Sequence, residues 1–259
     1  MQAGEIMTIS LSTYLIVCPF VFLAGFVDAI AGGGGIISLP VYLIAGLPVH
    51  NALATNKLSS SFGSATATYR YWKSGYIRWK QTIFCIVCAF AGSSLGAKCA
   101  LMIDERFFKI VMLAVIPATA AFLFFRKGVL NEKEPFGLVK TILLSSVIAF
   151  FLGFYDGIYG PGTGTFLLIL LTGTARIPLR EANGTAKAIN FTSNISALTV
   201  YILNSAVIFP LGIAAGVFNL AGSYLGTKCF DKDGIRVVKP VMFFVLAIFF
   251  IKIIIELAG

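Results

Sequence analysis

Charged residues are scarce in this sequence. Charged side chains make up 12% of the 259 residues, whereas soluble domains carry roughly 25%. Hydrophobic residues make up 58%, and the mean hydropathy is +0.91. Such a chain has too few polar side chains to cover a water-exposed surface, so the composition predicts an all-α polytopic membrane protein that lies in the lipid bilayer.

The residues that build metal, redox or catalytic centres are also rare. There is one histidine, His50, and the C-x-x-C formed by Cys85 and Cys88 has no second cysteine pair. Without a carboxylate cluster or a nucleophile beside a base, an intramembrane enzyme is the weakest function hypothesis, and no metal or cofactor is expected. The basic residues behind the net charge of +9 are scattered among apolar runs, so no nucleic-acid partner is expected.

Two glycine-rich stretches interrupt long apolar runs. The first, GFVDAIAGGGG, spans Gly25–Gly35, and the second, GFYDGIYGPGTG, spans Gly153–Gly164. Consecutive glycines favour a break in a helix. Backbone groups left free at membrane depth are unfavourable unless protein or a water-filled cavity satisfies them. A break that carries an acidic residue inside the membrane therefore indicates a candidate functional site.

The chain consists of two similar halves. The stretch AGSSLGAKC at 91–99 matches AGSYLGTKC at 221–229, and Thr55-Asn-Lys57 matches Thr185-Ala-Lys187. We divide the chain into a first membrane repeat (1–127), a polar hinge (128–137) and a second membrane repeat (138–259), which together form one transmembrane domain. The predicted segments are 9–30, 36–47, 51–72, 81–102 and 106–126, then 138–158, 163–173, 181–203, 206–229 and 236–257.

The short segments, 36–47 and 163–173, decide the topology. If they cross the membrane, the repeats are inverted and have five segments each; if they re-enter, the repeats are parallel and have four. With ten crossings, about thirteen basic residues lie on one side and about four on the other, whereas eight crossings divide them almost evenly. Because basic residues collect on the cytoplasmic side, the pattern favours two inverted five-segment repeats, with Tyr76 cytoplasmic and both termini outside the cytoplasm.

Two aspartates and two lysines lie inside predicted segments, at equivalent positions of the two halves. They are Asp28 and Lys57, and Asp156 and Lys187. A buried charge needs a partner or a cavity. The lysines are predicted to attract an anion, or else to pair with the aspartates and hold the broken helices together. The aspartates are interpreted either as coupling acids that carry protons or as structural acids that accept hydrogen bonds from loose N–H groups.

The helices that restart after the two breaks give a second reason to expect an anion site. Their free N–H groups and positive dipole ends would point into the protein and meet near the axis that relates the halves. Polar side chains follow each lysine at intervals of three or four, which places them on one helix face; hydrogen bonding between helices is the alternative explanation. The predicted substrate-binding residues are Gly33, Gly34, Gly35, Ile36, Asn56, Lys57, Ser60, Gly162, Thr163, Gly164, Thr165, Lys187, Asn190 and Asn194.

These motifs resemble those of the sulfite exporter TauE/SafE family, also called the toluene sulfonate uptake permeases. The resemblance rests on the two glycine motifs, on Pro40 and on A-T-N-K at Ala54–Lys57, and it covers essentially the whole chain. It implies a multi-pass inner-membrane permease for a small sulfur-containing anion such as sulfite, thiosulfate, a sulfonate or sulfoacetate. The second half departs from the pattern, since Ala186 stands where the first half has Asn56.

The leading hypothesis is therefore a permease that works by alternating access around a midplane site. A passive anion channel is the alternative, because it would use the same helix breaks and helix ends. The sequence leaves open the substrate, the direction of transport, coupling to protons or sodium, and assembly into a homodimer.

Overall fold

The computed structural model describes residues 10–104, 107–108 and 134–230. Helices and turns make up these residues, with no strand among them, which confirms the all-α prediction for this part of the chain. Most of the predicted segment 106–126 and all of 236–257 lie outside the described residues.

Eight helices occupy the remaining predicted segments, each end within three residues of its prediction. The second ends at Ile44 rather than at 47, because the chain turns through Gly46, whose φ is 87°. The helices are α1 (Leu11–Ala31), α2 (Gly35–Ile44), α3 (Val49–Lys73), α4 (Trp79–Met102), α5 (Leu138–Ile158), α6 (Thr163–Gly173), α7 (Leu179–Leu203) and α8 (Phe209–Cys229).

The long helices differ in polarity according to their position. Four of those in the described ranges, α1, α4, α5 and α8, are long and apolar enough to cross a membrane, and they carry most of the exposed large hydrophobic side chains. Helices α3 and α7 are as long but polar, and they lie against each other with these four around them. An apolar exterior around a polar centre is the arrangement that a bilayer selects, so the chain is a membrane protein.

Contacts between the long helices define their directions. Helix α4 is parallel to α7, because Thr82 contacts Thr185 and, further along both helices, Ser94 contacts Ser196. By the same criterion, α3 is parallel to α8, because Thr55 contacts Ile208 and Gly63 contacts Ser223. Helix α1 is also parallel to α8, through Phe22 with Gly222 and Phe26 with Gly226. Helix α4 is parallel to α5, through Gly92 with Phe150 and Gly96 with Phe154.

The chain therefore reverses at each short helix. Helices α1 and α3 point the same way, since both are parallel to α8, so α2 returns the chain between them. Helices α5 and α7 are likewise both parallel to α4, and α6 returns the chain there. The side chain of Asn51 at the start of α3 donates to Ala206 at the start of α8, 2.9 Å away, which places both starts at one end of the bundle.

Most basic residues in the described ranges lie at the other end. There the end of α3 meets the end of α8, with the rings of Tyr71 and Phe230 5.5 Å apart, and Tyr76 packs on Gly184 near the start of α7. Helices α4 and α5 start at this end too. The basic residues here are Arg70, Lys73, Arg78, Lys80, Lys140, Arg176, Arg180 and Lys228; Lys98 lies toward the opposite end.

The two glycine breaks touch in the middle of the molecule. Gly32 ends α1 with a left-handed φ of 67°, and its backbone lies directly against that of Gly164 in the first turn of α6. The hydroxyl of Thr165 donates to the carbonyl of Ala31, 2.9 Å away, and also contacts the carbonyl of Gly32. The first break is thus held by the helix that follows the second.

This contact predicts a large effect for Gly32→Ala. The new Cβ would overlap the backbone of Gly164, and alanine is disfavoured at a left-handed φ. We expect a loss of about 2 kcal/mol or more in stability, the sum of backbone strain and overpacking. The measurement is the thermal unfolding of the detergent-purified variant.

Gly173→Ala is the matched control, because Gly173 lies in α6 and its Cβ would have nothing within 4 Å. It should unfold at or slightly above the wild-type temperature, since alanine favours the helix. Equal unfolding temperatures for the two variants would contradict the close approach of the breaks.

Candidate functional site

Asp28 holds the first break from inside. Its Oδ1 accepts hydrogen bonds from the N–H groups of Gly33, at 3.1 Å, and Gly34, at 3.3 Å. These groups follow the end of α1, where no helical carbonyl is available to them. The carboxylate therefore accepts hydrogen bonds from loose N–H groups, which is the structural interpretation of Asp28. Its role as a coupling acid remains a prediction.

The second break is built differently. The hydroxyl of Tyr155 donates to the carbonyl of Pro161 at 2.7 Å, and that of Thr163 donates to the carbonyl of Gly160 at 2.8 Å. Asp156 lies beside its own break, since a Cβ on Gly160 would be 3.2 Å from its Oδ1, but no described backbone N–H donates to it; its Oδ2 instead accepts from the hydroxyl of Ser193 at 2.6 Å. The two halves thus share a sequence pattern but use their aspartates differently.

Both buried lysines pair with the aspartate of the opposite half. Lys57 Nζ lies 2.6 Å from Asp156 Oδ2, and Lys187 Nζ lies 3.0 Å from Asp28 Oδ2. Lys187 also contacts the Asp28 carbonyl. Three of these side chains are at most 4% exposed, whereas that of Asp28 is 20% exposed. Each ion pair is shielded from bulk water, so a partner left alone would be an uncompensated buried charge.

A small polar cavity, partly open to solvent, lies where the breaks meet. Its lining contains ten of the fourteen residues that the sequence predicts for binding. These are Gly33, Gly34, Gly35, Asn56, Ser60, Gly162, Thr163, Gly164, Asn190 and Asn194. Asp28 lines it as well, whereas Asp156 does not.

The other four predicted residues lie outside the lining. Ile36 is fully buried in the apolar core, and Thr165 bonds to the backbone of the first break. Lys57 and Lys187 stand behind the wall in their ion pairs. A Cβ on Gly160, a lining residue, would be 3.4 Å from Lys57 Nζ, so this ammonium group is about one atomic layer from the cavity.

Several hydrogen-bond donors on the wall have no acceptor among the described residues. They include the backbone N–H groups of Gly35 and Gly164, in the first turns of α2 and α6, and the side-chain amide N–H groups of Asn56 and Asn219. Helix N-termini and amide donors are the groups with which proteins hold small anions. Chemically, the cavity can therefore accept a negatively charged oxygen.

Four lining residues are not among those predicted from the sequence: Ala24, Ser38, Gly160 and Asn219. Ser38 lies one turn into α2, where its hydroxyl donates to the carbonyl of Gly34 at 3.2 Å. Asn219 has a signal in the sequence, because it interrupts the apolar run 209–222 at a position where the first half has Ala89. A polar residue present in only one of two repeats marks a place where the repeats differ in use.

An apolar helical bundle with two broken helices around a polar cavity defines a class of protein, the membrane transporters. Comparison with known families gives the narrower identity. The chain belongs to the sulfite exporter TauE/SafE family, whose profile matches residues 17–253.

Curated relatives agree with this class. A probable membrane transporter protein, ORF9, from Sinorhizobium sp. is 33% identical over 221 residues, which are 85% of this chain and 84% of the relative. A probable membrane transporter protein from Haemophilus influenzae is 31% identical, with 85% and 86% covered. The probable membrane transporter protein YfcA of Escherichia coli is 31% identical over 242 residues, with 92% and 88% covered. No solved structure matches the chain.

The ion-pair geometry predicts that Asp156→Asn is severely destabilising. The substitution leaves the charge of Lys57 buried without a counter-charge, and breaking such a pair costs about 3–5 kcal/mol. Asp28→Asn should cost less, because Asp28 is partly exposed and its carbonyl still contacts Lys187. The unfolding temperatures of the two purified variants measure this difference.

Two further variants make the comparison specific. Glu181→Gln breaks the surface pair with Arg78, whose side chain is 65% exposed, and should cost at most about 1 kcal/mol. Adding Lys57→Met to Asp156→Asn removes the stranded charge and should recover much of the lost stability. If Asp156→Asn unfolds at the same temperature as Glu181→Gln, the pair contributes no more than a surface contact.

Proposed function

We propose that this protein is a permease that moves a small sulfur-containing anion across the inner membrane by alternating access. The observation that carries the proposal is the set of unpaired donors around the cavity. Two helices begin at the cavity, and backbone and asparagine N–H groups face it without a protein acceptor in the described ranges. An oxyanion such as sulfite, with three oxygens that accept hydrogen bonds, complements this set.

The lysines then act at short range without direct contact. Each lysine is already paired with a carboxylate, so the groups on the cavity wall that can bind an anion are neutral N–H donors rather than an unpaired ammonium group. A site built of neutral donors and paired charges binds an anion more weakly than a bare lysine would. Transport benefits from this, because the anion has to leave the site as well as enter it.

The proposed architecture is the ten-segment pair of inverted repeats. Support comes from the helix directions: α1 and α3 point one way and α5 and α7 the other, and each short helix reverses the chain. In parallel repeats, α3 and α7 would point the same way. The fifth segment of each repeat is predicted at 106–126 and 236–257, and it completes the count.

Contacts between the halves favour a carrier over a channel. Both ion pairs, and the bonds from Thr165 to the first break, join one half to the other around the cavity. If the halves rock against each other, the same contacts can separate and re-form while the anion remains between the helix starts. This is the requirement of alternating access around a fixed midplane site.

The basic end of the bundle is proposed to face the cytoplasm. Arg70, Lys73 and Arg78 are among the residues that gather there, and basic residues are retained on the cytoplasmic side during insertion. Trp72 and Trp79, with rings 6.1 Å apart and more than two-fifths exposed, lie at the same end, as is usual at a membrane interface.

The binding proposal predicts that the purified protein is stabilised by a sulfur oxyanion. A panel of sulfite, thiosulfate, sulfoacetate, sulfate, taurine and formate, tested by thermal shift and then by calorimetry, should show at least one sulfur oxyanion bound. Lys57→Met should weaken that binding by about tenfold or more, because it leaves the negative charge of Asp156 next to the cavity.

Lys98→Met is the matched control, since Lys98 is exposed near the end of α4 and does not line the cavity. It should leave the affinity unchanged. Binding of none of the sulfur anions, or equal effects of the two lysine substitutions, would count against the proposal.

The topology proposal has a paired test. Ser74 and Asn204 are equivalent residues of the two repeats, both exposed, after α3 and α7 respectively. In a cysteine-free background, Ser74→Cys should react with a membrane-impermeant thiol reagent only from the cytoplasmic side and Asn204→Cys only from the other side. Inverted repeats require opposite sides, so labelling of both residues from one side would contradict them.

A further inference from the structure

We propose that the side-chain amide of Asn219 is a substrate contact that fixes where in the cavity the anion is held. The inference rests on the proposed function and adds to it a residue outside the repeat motifs. It also commits to a ligand class, a small oxyanion with an oxygen that accepts an N–H donor.

Asn219 differs from the neighbouring asparagines in that its side chain has no partner among the described residues. It lies in α8, is 5% exposed, and lines the cavity. Asn190 donates to Asp28 at 3.4 Å, and Asn194 accepts from Lys57 at 3.2 Å. No hydrogen bond joins the Asn219 side chain to any described residue. A buried amide without partners is unfavourable, and a bound ligand or water in the cavity can satisfy it.

Packing determines which atom of the amide faces the cavity. The Oδ1 atom is wedged between the backbones of Gly25 on α1 and Gly63 on α3. A Cβ on Gly25 would be 2.8 Å from Oδ1, and one on Gly63 would overlap it. Since the oxygen occupies the space that these glycines provide, we place the Nδ2 group, on the other side of the amide, toward the cavity.

The contact between α3 and α8 has an equivalent between α7 and α4, and only the first has this arrangement. The equivalent of Gly63 is Ser193, whose hydroxyl donates to Asp156, and the equivalent of Asn219 is Ala89. Both halves retain the surrounding interhelical bond, from Ser223 to the Gly63 carbonyl at 2.7 Å and from Ser93 to the Ser193 carbonyl at 2.6 Å. The backbone is thus nearly symmetric, and the polar groups are not.

This asymmetry sets the position of the anion. Beside α5 and α7, the hydroxyl of Ser193 satisfies Asp156, which lies outside the lining, whereas beside α1 and α3 the amide of Asn219 lines the cavity and has no partner among the described residues. An anion bonded to the N–H of Gly35 would thus lie toward α1 and α8, where Asn219 Nδ2 can donate to a second oxygen. It would lie off the axis that relates the halves.

The test uses the full-length purified protein, with sulfite, thiosulfate and sulfoacetate as probes in calorimetry. Asn219→Ala removes the amide, and Ala89 at the equivalent position shows that this helix pairing accommodates alanine. Asn219→Leu is the second variant; it keeps a branched side chain of four heavy atoms but has no donor. Ser223→Ala, one turn further along α8, is the structural control, because it removes an interhelical hydrogen bond that does not face the cavity.

We expect both Asn219 variants to bind the best probe at least about tenfold more weakly than the wild type while unfolding within a few degrees of it in the absence of anion. Ser223→Ala should show the reverse, a lower unfolding temperature with unchanged affinity. Unchanged affinity in either folded Asn219 variant would overturn the inference and leave the permease proposal intact. A wild type that binds none of the probes would overturn both.

Discussion

A helix that breaks inside a membrane leaves N–H groups that water does not satisfy, and the rest of this structure follows from that constraint. At the first break, the carboxylate of Asp28 satisfies two of them. The N–H groups of Gly35 and Gly164 have no acceptor among the described residues, and both glycines line the cavity. The protein thus satisfies part of the break with its own acceptor and leaves donors that a ligand can use.

The buried lysines compensate the negative charges that the aspartates bring into the membrane. An acid that caps a break brings a negative charge to membrane depth, and Lys187 from the opposite half compensates it. Lys57 does the same for Asp156. Because each ion pair joins the two halves, these charges hold the repeats together beside the breaks. They also contribute to the electrostatic potential of the cavity. The same four residues therefore bear on stability and, in the proposed function, on the binding of an anion.

Sequence reasoning located the segments and the breaks because both depend on local chemistry. Apolar runs of fixed length and consecutive glycines are readable without tertiary structure, and every described helix end lies within three residues of its prediction. Pairing of the lysines with the aspartates was one of the two interpretations, but the choice of partner, Asp156 of the opposite half for Lys57, could not be read, since the two positions are 99 residues apart. Asn219 was missed because its place on the wall depends on how α8 packs on α1.

The most direct test of the central claim, that an anion binds where the two breaks meet, is to locate one there. Crystals of the wild-type protein soaked in selenite, the selenium analogue of sulfite, would give an anomalous signal at the selenium edge. The account predicts a peak in the cavity between the starts of α2 and α6, within hydrogen-bond distance of the Gly35 N–H and of Asn219 Nδ2. A cavity without a peak at saturating selenite, or a peak only among the basic residues at the end of the bundle, would contradict it.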